Sequence, residues 1–295
     1  MADAAPGGPG GTLYVVATPI GNLADVTLRA LEVLAAVPLV AAEDTRLTRR
    51  LFARHQIAAK LTSFHVRSGP ERLERLLEHL RAGNDLALVT DAGTPAISDP
   101  GTELVTAWAA ERGRVVPIPG PSAVLAAVAA SGVAGSRWSF EGFLPRSGRE
   151  RRDRLAAIAA DQRGAVIFEA PGRVRATLED LASACGPQRP AAVCRELTKV
   201  HEQIARGPLG DLATALAEGA IPARGEFVLV IGMTTTGAGP AADAREPPDA
   251  DARLATALAE VDALVAQGLA RGAAARRVAA ETGIPRRQIY RASDQ

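Results

Sequence analysis

Three Gly/Pro-rich stretches in this chain each follow a short apolar run: Thr18-Pro19-Ile20-Gly21-Asn22-Leu23, then TDAGTPAISDPG at 90–101, then Pro119-Gly120-Pro121-Ser122-Ala123. Glycine lets a backbone approach a ligand closely, and proline fixes a loop's shape before the ligand arrives. Asp91 and Asp99 add acceptors for hydroxyl or amine groups, and Ser122 stands where a helix cap puts its hydroxyl near the loop. Turn chemistry alone explains any one stretch; three with two acids predict a small-molecule pocket. Two charged clusters also end apolar runs. Glu43-Asp44-Thr45-Arg46 offers acids and a cation, and Arg195-Glu196-Leu197-Thr198-Lys199 brings a lysine beside Glu196 and Glu202. Such groups can move a proton from a hydroxyl and steady a developing oxyanion. A helix cap at Asp44 with Glu43 paired to Arg46, and a surface ion-pair cluster at 195–202, would use the same residues without chemistry. His65 is a further acid-base candidate, while His55, His79 and His201 read as structural.

The elements that must position these residues alternate between β-rich runs and amphipathic helices, the signature of α/β architecture. Strands are expected at 13–17, 39–42, 86–90 and 115–118, with a short one before His65. Helices are expected from about 26, at 44–54, at 71–81 on the spacing of Leu73, Leu76, Leu77 and Leu80, and at 102–111. After Pro119-Gly120-Pro121 the pattern restarts. A helix from Ser122, a strand at 138–141, a basic helix at 149–160, a strand at 165–168, a helix at 174–184 and a strand at 191–194 come next. A segment near 202–205, a helix at 209–217 and a strand at 227–231 complete a second unit. The expected organisation is a disordered N-terminus at 1–11, α/β domains at 12–120 and 121–233 with a cleft between them, a linker at 234–251 and a helical tail at 252–295. In that tail a helix at 273–281, a turn at Gly283 and a helix opening at Pro285 have the spacing of a helix-turn-helix.

Composition narrows the classes. With 295 residues, 47% of them hydrophobic, the chain can bury two cores, and a net charge of +1 announces no nucleic-acid partner globally. Basic charge is instead local. Arg146, Arg149, Arg151, Arg152 and Arg154 cluster against Glu150 and Asp153, and the tail carries Arg271, Arg276, Arg277, Arg286, Arg287 and Arg291 against Glu281. Both clusters can meet phosphate. The two cysteines, Cys185 and Cys194, make no disulfide framework and no metal site, and read as buried thiols of a reducing cytoplasm. The uncharged run from Val115 to Ser136 is broken by Pro117, Pro119, Gly120 and Pro121, so no membrane span is expected. The N-terminus has neither basic nor apolar leader regions. Neither GxGxxG nor the GxxxxGK phosphate loop occurs, which removes the usual dinucleotide and P-loop readings.

Together, TPIGNLxDxTxRAxxxL at 18–34, EDTR at 43–46, DAGTPxISDPG at 91–101, PGPSA at 119–123, EGFLPR at 141–146 and RELTKxxE at 195–202 resemble the ribosomal RNA small subunit methyltransferase I family. That family belongs to the tetrapyrrole-methylase-like class of S-adenosylmethionine-dependent methyltransferases. The resemblance covers about residues 12–232 and implies a two-domain α/β fold with S-adenosylmethionine in the interdomain cleft, plus a small helix-turn-helix-like C-terminal domain. It also implies a homodimer and methyl transfer to the ribose 2′-hydroxyl of a decoding-region cytidine of 16S rRNA in the small ribosomal subunit (position 1402 in the usual rRNA numbering). By matching motifs, Pro19, Ile20, Gly21, Asp91, Ala92, Gly93, Thr94, Pro95, Gly120, Ser122, Ala123 and Glu169 fall on cofactor-facing positions. Arg146, Arg149, Arg151, Arg152, Arg276, Arg277, Arg286 and Arg287 are the expected RNA contacts. For the chemistry, Lys199 or Arg46 is expected to supply a positive field, and Glu43 or Glu196 to orient or accept the proton. The family's Tyr and His in the run matching Phe168-Glu169-Ala170-Pro171-Gly172-Arg173 are absent, so neither is required here. A corrin or porphyrin methyltransferase would share the fold but leave the basic tail without use. A ligand-sensing DNA-binding regulator would leave Glu43 and Lys199 without purpose, and an α/β enzyme of an unrelated small substrate is the remaining alternative.

Overall fold

A computed structural model of the chain describes residues 10–234 and 250–282. The apolar runs β1 (Thr12–Val16), β2 (Leu39–Ala42), β3 (Lys60–Ser63), β4 (Leu86–Val89) and β5 (Arg114–Ile118) form one sheet in the order β3-β2-β4-β1-β5, with every neighbouring pair parallel. Parallel pairing needs crossovers, supplied by α1 (Leu28–Ala36), α2 (Thr45–His55), α3 (Pro70–Arg81) and α4 (Thr102–Ala110). They cover both faces: Leu34 and Leu51 pack on Val16, Val40 and Val89, and Leu76, Leu80 and Trp108 on Leu13, Leu86 and Leu88. Pro117, which cannot donate to a ladder, sits on edge strand β5. Because all five strands point one way, the loops at 18–23, 43–44, 90–101 and 119–122 gather at a single edge of the sheet, where α/β folds bind ligands.

Ser122 caps α5 (Ala123–Ser131), its hydroxyl accepting from Leu125 N at 3.4 Å. This helix carries the chain to a second sheet, where Val124 and Ala127 pack on Val166, Val228 and Val230. That sheet runs β6-β7-β10-β8-β9, from β6 (Trp138–Phe143), β7 (Gly164–Glu169), β8 (Pro190–Arg195), β9 (Gln203–Pro208) and β10 (Phe227–Ile231). Only its β6–β7 pair is parallel among these neighbours. α6 (Gly148–Ala160), α7 (Val174–Cys185) and α8 (Leu209–Ala217) bury Leu155, Leu178, Leu181 and Leu212 with Ile167, Val193 and Leu229.

Both sheets lie in one compact unit, Met1–Thr235, and Thr236–Gln295 is another. The second contains α9 (Ala250–Ala266) and α10 (Arg271–Thr282), closed around Val261, Ala274, Ala275 and Val278. Several boundaries differ from expectation. The first helix opens later, at Leu28, because Thr27 caps it, and Leu23–Asp25 forms a separate 3-10 turn under an Asn22 cap. The segment near 202–205 is the start of a full strand, β9. Gly11 is already ordered, its N–H donating to Leu80 O at 2.7 Å. α9 begins inside the expected linker, of which 235–249 lie outside the described residues, as do residues 1–9 and the tail helix expected from Pro285. Among the described residues no helix is long and apolar enough to cross a membrane.

Candidate active site

The three loops are tied to one another by their own backbones. Thr18 and Gly93 exchange N–H···O bonds of 2.8 and 3.0 Å, and the Thr18 hydroxyl donates to Thr90 O at 3.1 Å. Thr94 Oγ1 donates to Pro121 O at 3.3 Å, joining the second loop to the third. Gly120 runs so close to β1 that a Cβ there would sit 3.0 Å from Ala17 Cβ. The second loop also holds Gly93, Ala96 and Ser98 at φ of 84°, 68° and 64°. A non-glycine residue there is strained, and a shape retained against that strain is characteristic of binding sites.

These loops form one wall of a cleft of about 330 Å³. From the first sheet's edge come Ile20, Gly93, Thr94, Ile97 and Asp99; α5 contributes Ala123 and Val124 beneath Ser122. The facing wall comes from the second sheet: Phe143, Phe168, the Glu169–Pro171 corner, and Gly225 to Val228. Phe168 packs edge-on against Phe140 at 5.0 Å and under Phe143 at 5.6 Å between ring centroids. Phe143 is nonetheless 54% exposed, an aromatic face presented at the cleft. The corner is fixed by Glu169, whose buried carboxylate accepts from Thr177 Oγ1 at 2.6 Å and Ala170 N at 2.8 Å and lies 3.3 Å from Arg173.

Charge is arranged differently on the two walls. At the first, Glu43, Asp91 and Asp99 converge from β2 and from the loop after β4. Asp91 Oδ1 accepts from Asp44 N at 2.8 Å, and Glu43 Oε2 from Asp91 N at 3.4 Å. Burial, reinforced by the neighbouring carboxylates, raises the pKa of all three, that of Asp99 to about 6. Asp44 is the exception: it caps α2 and is held down to about 2 by its hydrogen bonds to Arg46, which is 83% exposed. At the second wall Lys199 Nζ lies 2.9 Å from Glu196 Oε1 and 3.0 Å from Glu226 Oε2. Burial works to lower the Lys199 pKa, but the two carboxylates outweigh it and the pKa is raised. Glu196 is lowered by the Glu226 N–H and by Lys199. This turn docks on the first loop: a Cβ on Gly21 would lie 2.5 Å from Lys199 Cγ and 2.9 Å from Thr198 Oγ1.

Of the expected cofactor positions, Ile20, Ala92, Gly93, Thr94, Ser122, Ala123 and Glu169 line the cleft. Gly21, Asp91 and Gly120 support it from behind through the contacts above, and Pro19 and Pro95 belong to the same loops. Of the expected chemical groups, Glu43 and Lys199 stand beside the cleft with Glu196, whereas Arg46 points its charge to Asp44 in solvent. Arg146, just before α6, and Arg149 and Arg152 on it are exposed. Arg151 is not a surface cation. It is buried, bonded to Asp180 Oδ2 at 2.9 Å, Pro145 O at 3.0 Å and Thr177 Oγ1 at 2.9 Å, because its helical position faces α7. Arg276 and Arg277 are exposed on α10, and Arg286 and Arg287 lie outside the described residues. Sequence reasoning noted Asp99 only as an acceptor for hydroxyl or amine groups and missed Ile97, Phe143, Phe168 and Glu226 as cleft residues. The exposed Phe143 had a signal in the EGFLPR motif; Glu226 had none, since it reaches the site only through its pairing with Lys199.

A family model described as Tetrapyrrole (Corrin/Porphyrin) Methylases matches residues 12–213. Ribosomal RNA small subunit methyltransferase I of Synechocystis sp. is 44% identical over 283 residues, spanning 96% of this chain and 97% of that protein. Its namesake in Xylella fastidiosa is 42% identical over 280 residues, 95% and 98% of the two chains. Among solved structures, a cobalt precorrin-4 methyltransferase of cobalamin biosynthesis superposes with a TM-score of 0.59 at 20% identity, covering 75% of this chain and 94% of that one. Uroporphyrin-III C-methyl transferase from Thermus thermophilus, complexed with S-adenyl homocysteine, gives 0.55 at 21% identity over 75% and 97%. At such identities the likeness is one of fold.

Proposed function

The chain belongs to the tetrapyrrole (corrin/porphyrin) methylase family, alongside the ribosomal RNA small subunit methyltransferase I proteins, and from that premise we propose that it methylates the ribose 2′-hydroxyl of a decoding-centre cytidine in 16S rRNA. It is an S-adenosylmethionine-dependent methyltransferase, and the cleft suits that cofactor. Gly93 and Ala123 permit close backbone approach, and Ile20, Val124, Phe168 and Val228 offer an apolar slot for a purine. Glu226 and the loop carbonyls offer acceptors for hydroxyl and ammonium groups. Bound there, the cofactor supplies a methyl group activated by a sulfonium centre. The protein's part is to hold the attacking oxygen in line behind that methyl, which supplies much of the acceleration.

The observation that carries this reading is the cleft itself: three mutually bonded loops facing Phe143, with the exposed arginines of α6 beyond it. Arg146, Arg149 and Arg152 supply the local cation density a phosphate backbone needs, and Phe143 gives a splayed base a face on which to stack. Lys199, kept charged by Glu196 and Glu226, lends a positive field to the developing alkoxide. Glu43 stands beside the loop acids and orients the substrate hydroxyl through Asp91. Arg276, Arg277, Arg286 and Arg287 are the tail's RNA contacts in this reading. The protein acts in the cytoplasm as a homodimer, for which exposed apolar side chains such as Leu28 and Val66 provide material.

Transfer of labelled methyl from S-adenosylmethionine to small subunits lacking the mark, followed by nucleoside mass analysis, tests the reading directly. A 2′-O-methylated cytidine at the decoding site is expected; transfer to a tetrapyrrole instead would overturn it. Deleting residues 236–295 is expected to weaken binding to the subunit while leaving cofactor affinity within a few-fold, measured by calorimetry. Unchanged subunit affinity would remove the tail from the interface.

A further inference from the structure

We propose that a second cavity, beside the turn that follows β3, receives a backbone phosphate of the RNA being methylated, an assignment that rests on reading the chain as an rRNA methyltransferase. The cavity measures about 420 Å³ and shares no lining residue with the cofactor cleft. Its character is the opposite of the cleft's. Apart from Gly69 and Pro70 the lining is polar or charged: Ser63, His65 and Ser68 come from the strand end and turn, and Arg72 and Arg75 from α3, with Glu71. Such walls do not suit a purine or an aliphatic chain, which need apolar surface. They suit an oxyanion with several acceptor oxygens, because arginine presents a fork of donors to phosphate and hydroxyls complete the set. The acid in the lining leaves the balance positive, since the Glu71 side chain is almost wholly exposed and stands 3.6 Å from Arg75.

The donors are held in place before any ligand arrives. Arg72 Nη1 donates to Thr62 Oγ1 at 3.0 Å, which anchors one edge of the guanidinium against β3 while the side chain lines the cavity. The turn is closed on itself. Ser68 Oγ accepts from His65 N at 2.9 Å, Ser68 N donates to His65 O at 2.7 Å, and His65 Nδ1 accepts from Arg67 N at 3.1 Å. With Nδ1 so used, the neutral His65 ring carries its proton on Nε2, and the Ser68 hydroxyl keeps its own proton to donate. A Cβ on Gly69 would meet nothing within 4 Å, so the mouth is unobstructed there. Position then ties the cavity to the chemistry. β3 is an edge strand parallel to β2, so the turn emerges at the same sheet edge as the 43–44 turn and the 90–101 loop. Ser63 is in register with Ala42, and Phe64 N donates to Ala42 O at 2.8 Å, one residue before Glu43. His65 is close enough to Glu43 to act on its charge, and Glu43 accepts from Asp91 N at 3.4 Å. Two strand spacings, about 10 Å, separate the ends of β3 and β4, within reach of the nucleotide next to one whose ribose enters the cleft. The first sheet thus has an RNA contact of its own, apart from the arginines of α6.

The test is steady-state methyl transfer to unmodified small subunits, with subunit binding measured across a salt series and cofactor affinity and melting temperature in parallel. Arg72→Gln and Arg75→Gln are each expected to raise KM for the subunit about 5- to 20-fold while kcat stays within about threefold and cofactor affinity within about twofold. Each should also flatten the slope of log affinity against log salt by about 0.7, the signature of one lost phosphate contact on a single strand. Arg75 is exposed, so its variant keeps the fold even if that of Arg72, bonded to Thr62, loosens β3. Arg72→Lys retains the charge and is expected to recover the slope but only part of the affinity. Arg114→Gln, at the start of β5 and so on the opposite edge of the same sheet, is the control and should leave KM within about twofold. An unmoved KM in both glutamine variants, or an equal rise in Arg114→Gln, overturns the assignment. Inorganic phosphate, followed by phosphorus NMR, separates the two sources of the ligand. If it binds the unaltered protein and not the double variant while KM for the subunit is unmoved, the cavity serves a free anion and the assignment is overturned likewise. Failure of the unaltered protein to methylate subunits while binding the cofactor would instead defeat the substrate reading beneath it.

Discussion

The loop at 91–101 and the turn at 195–202 share a construction and differ in electrostatics. Each ends a strand and carries acids on strained backbone: Ala96 and Ser98 in one, Glu196 and Thr198 in the other, are four of the six non-glycine residues at positive φ among the described residues. In the turn every acid facing the cleft has a cation, so Glu196 sits low and Lys199 high. In the loop the acids face one another, Arg46 and His65 only partly offset the effect at Asp91 and Glu43, and Glu43, Asp91 and Asp99 all rise. The difference teaches that charge at a strand end is not by itself reactivity. Paired charge fixes geometry, whereas unpaired buried charge raises proton affinity.

Neutralising one group on each side breaks the comparison most sharply. Asp99→Asn, on the cleft lining, is expected to weaken cofactor binding about tenfold, whereas Lys199→Met removes a field beside the cleft and is expected to cost about tenfold in turnover with cofactor affinity within a few-fold. Calorimetry with the cofactor and single-turnover assays on small subunits at pH 7.5 separate the two. Equal loss of cofactor affinity in both would mean that the two walls hold the cofactor together.

The docking of the turn onto the first loop is sensitive to size. Gly21→Val would drive side-chain atoms into Lys199 Cγ and, at 3.1 Å from the Cβ position, into Leu197 O. Lys199 cannot swing aside freely because two carboxylates hold it. We expect a loss of about 2–3 kcal/mol in stability by denaturant unfolding, with weaker cofactor binding as the loop shifts. The matching change at the other loop, Gly142→Ala, adds the penalty of φ 62° to a 3.1 Å approach to Ser98 Oγ, and should displace Asp99 more than it unfolds the chain.

How much of this was legible in the sequence follows from what each feature depends on. The parallel sheet was readable because β2 and β4 are buried on both faces and therefore uninterrupted by polar residues. The cofactor loops were readable because glycine and proline act locally. Arg151 was misread as a surface cation because membership in a run of arginines says nothing of which one faces α7. The distinction between Lys199 and Asp99 was invisible for the same kind of reason. Glu226 lies 27 residues beyond Lys199 in the chain, and only the antiparallel pairing of β8 with β10 brings that segment to the turn. The proton affinity of Asp99 is a property of three elements meeting, not of its motif.

The smallest expected effect sharpens the comparison from the side of stability. A carboxyl whose pKa is raised on folding binds its proton more tightly in the native state. The native state therefore loses stability as pH rises from the unfolded value near 4 through about 6. Asp99→Asn removes that liability, and relieves Glu43 and Asp91 of a like charge. It should therefore melt higher than the original protein at pH 8 and no higher at pH 4. With Asp99 only about half shielded from solvent, the gain is expected to be about 1–2 kcal/mol, not the full value of the shift. Glu196→Gln is the counterpart on the other wall and should do the opposite, losing stability at pH 8, because there the carboxylate is held by Lys199 and Glu226 N. Opposite signs at pH 8 for two carboxylate-to-amide changes on facing walls are what an unpaired acidic loop set against a paired clamp requires. Loss of stability in both would place Asp99 among the structural acids instead.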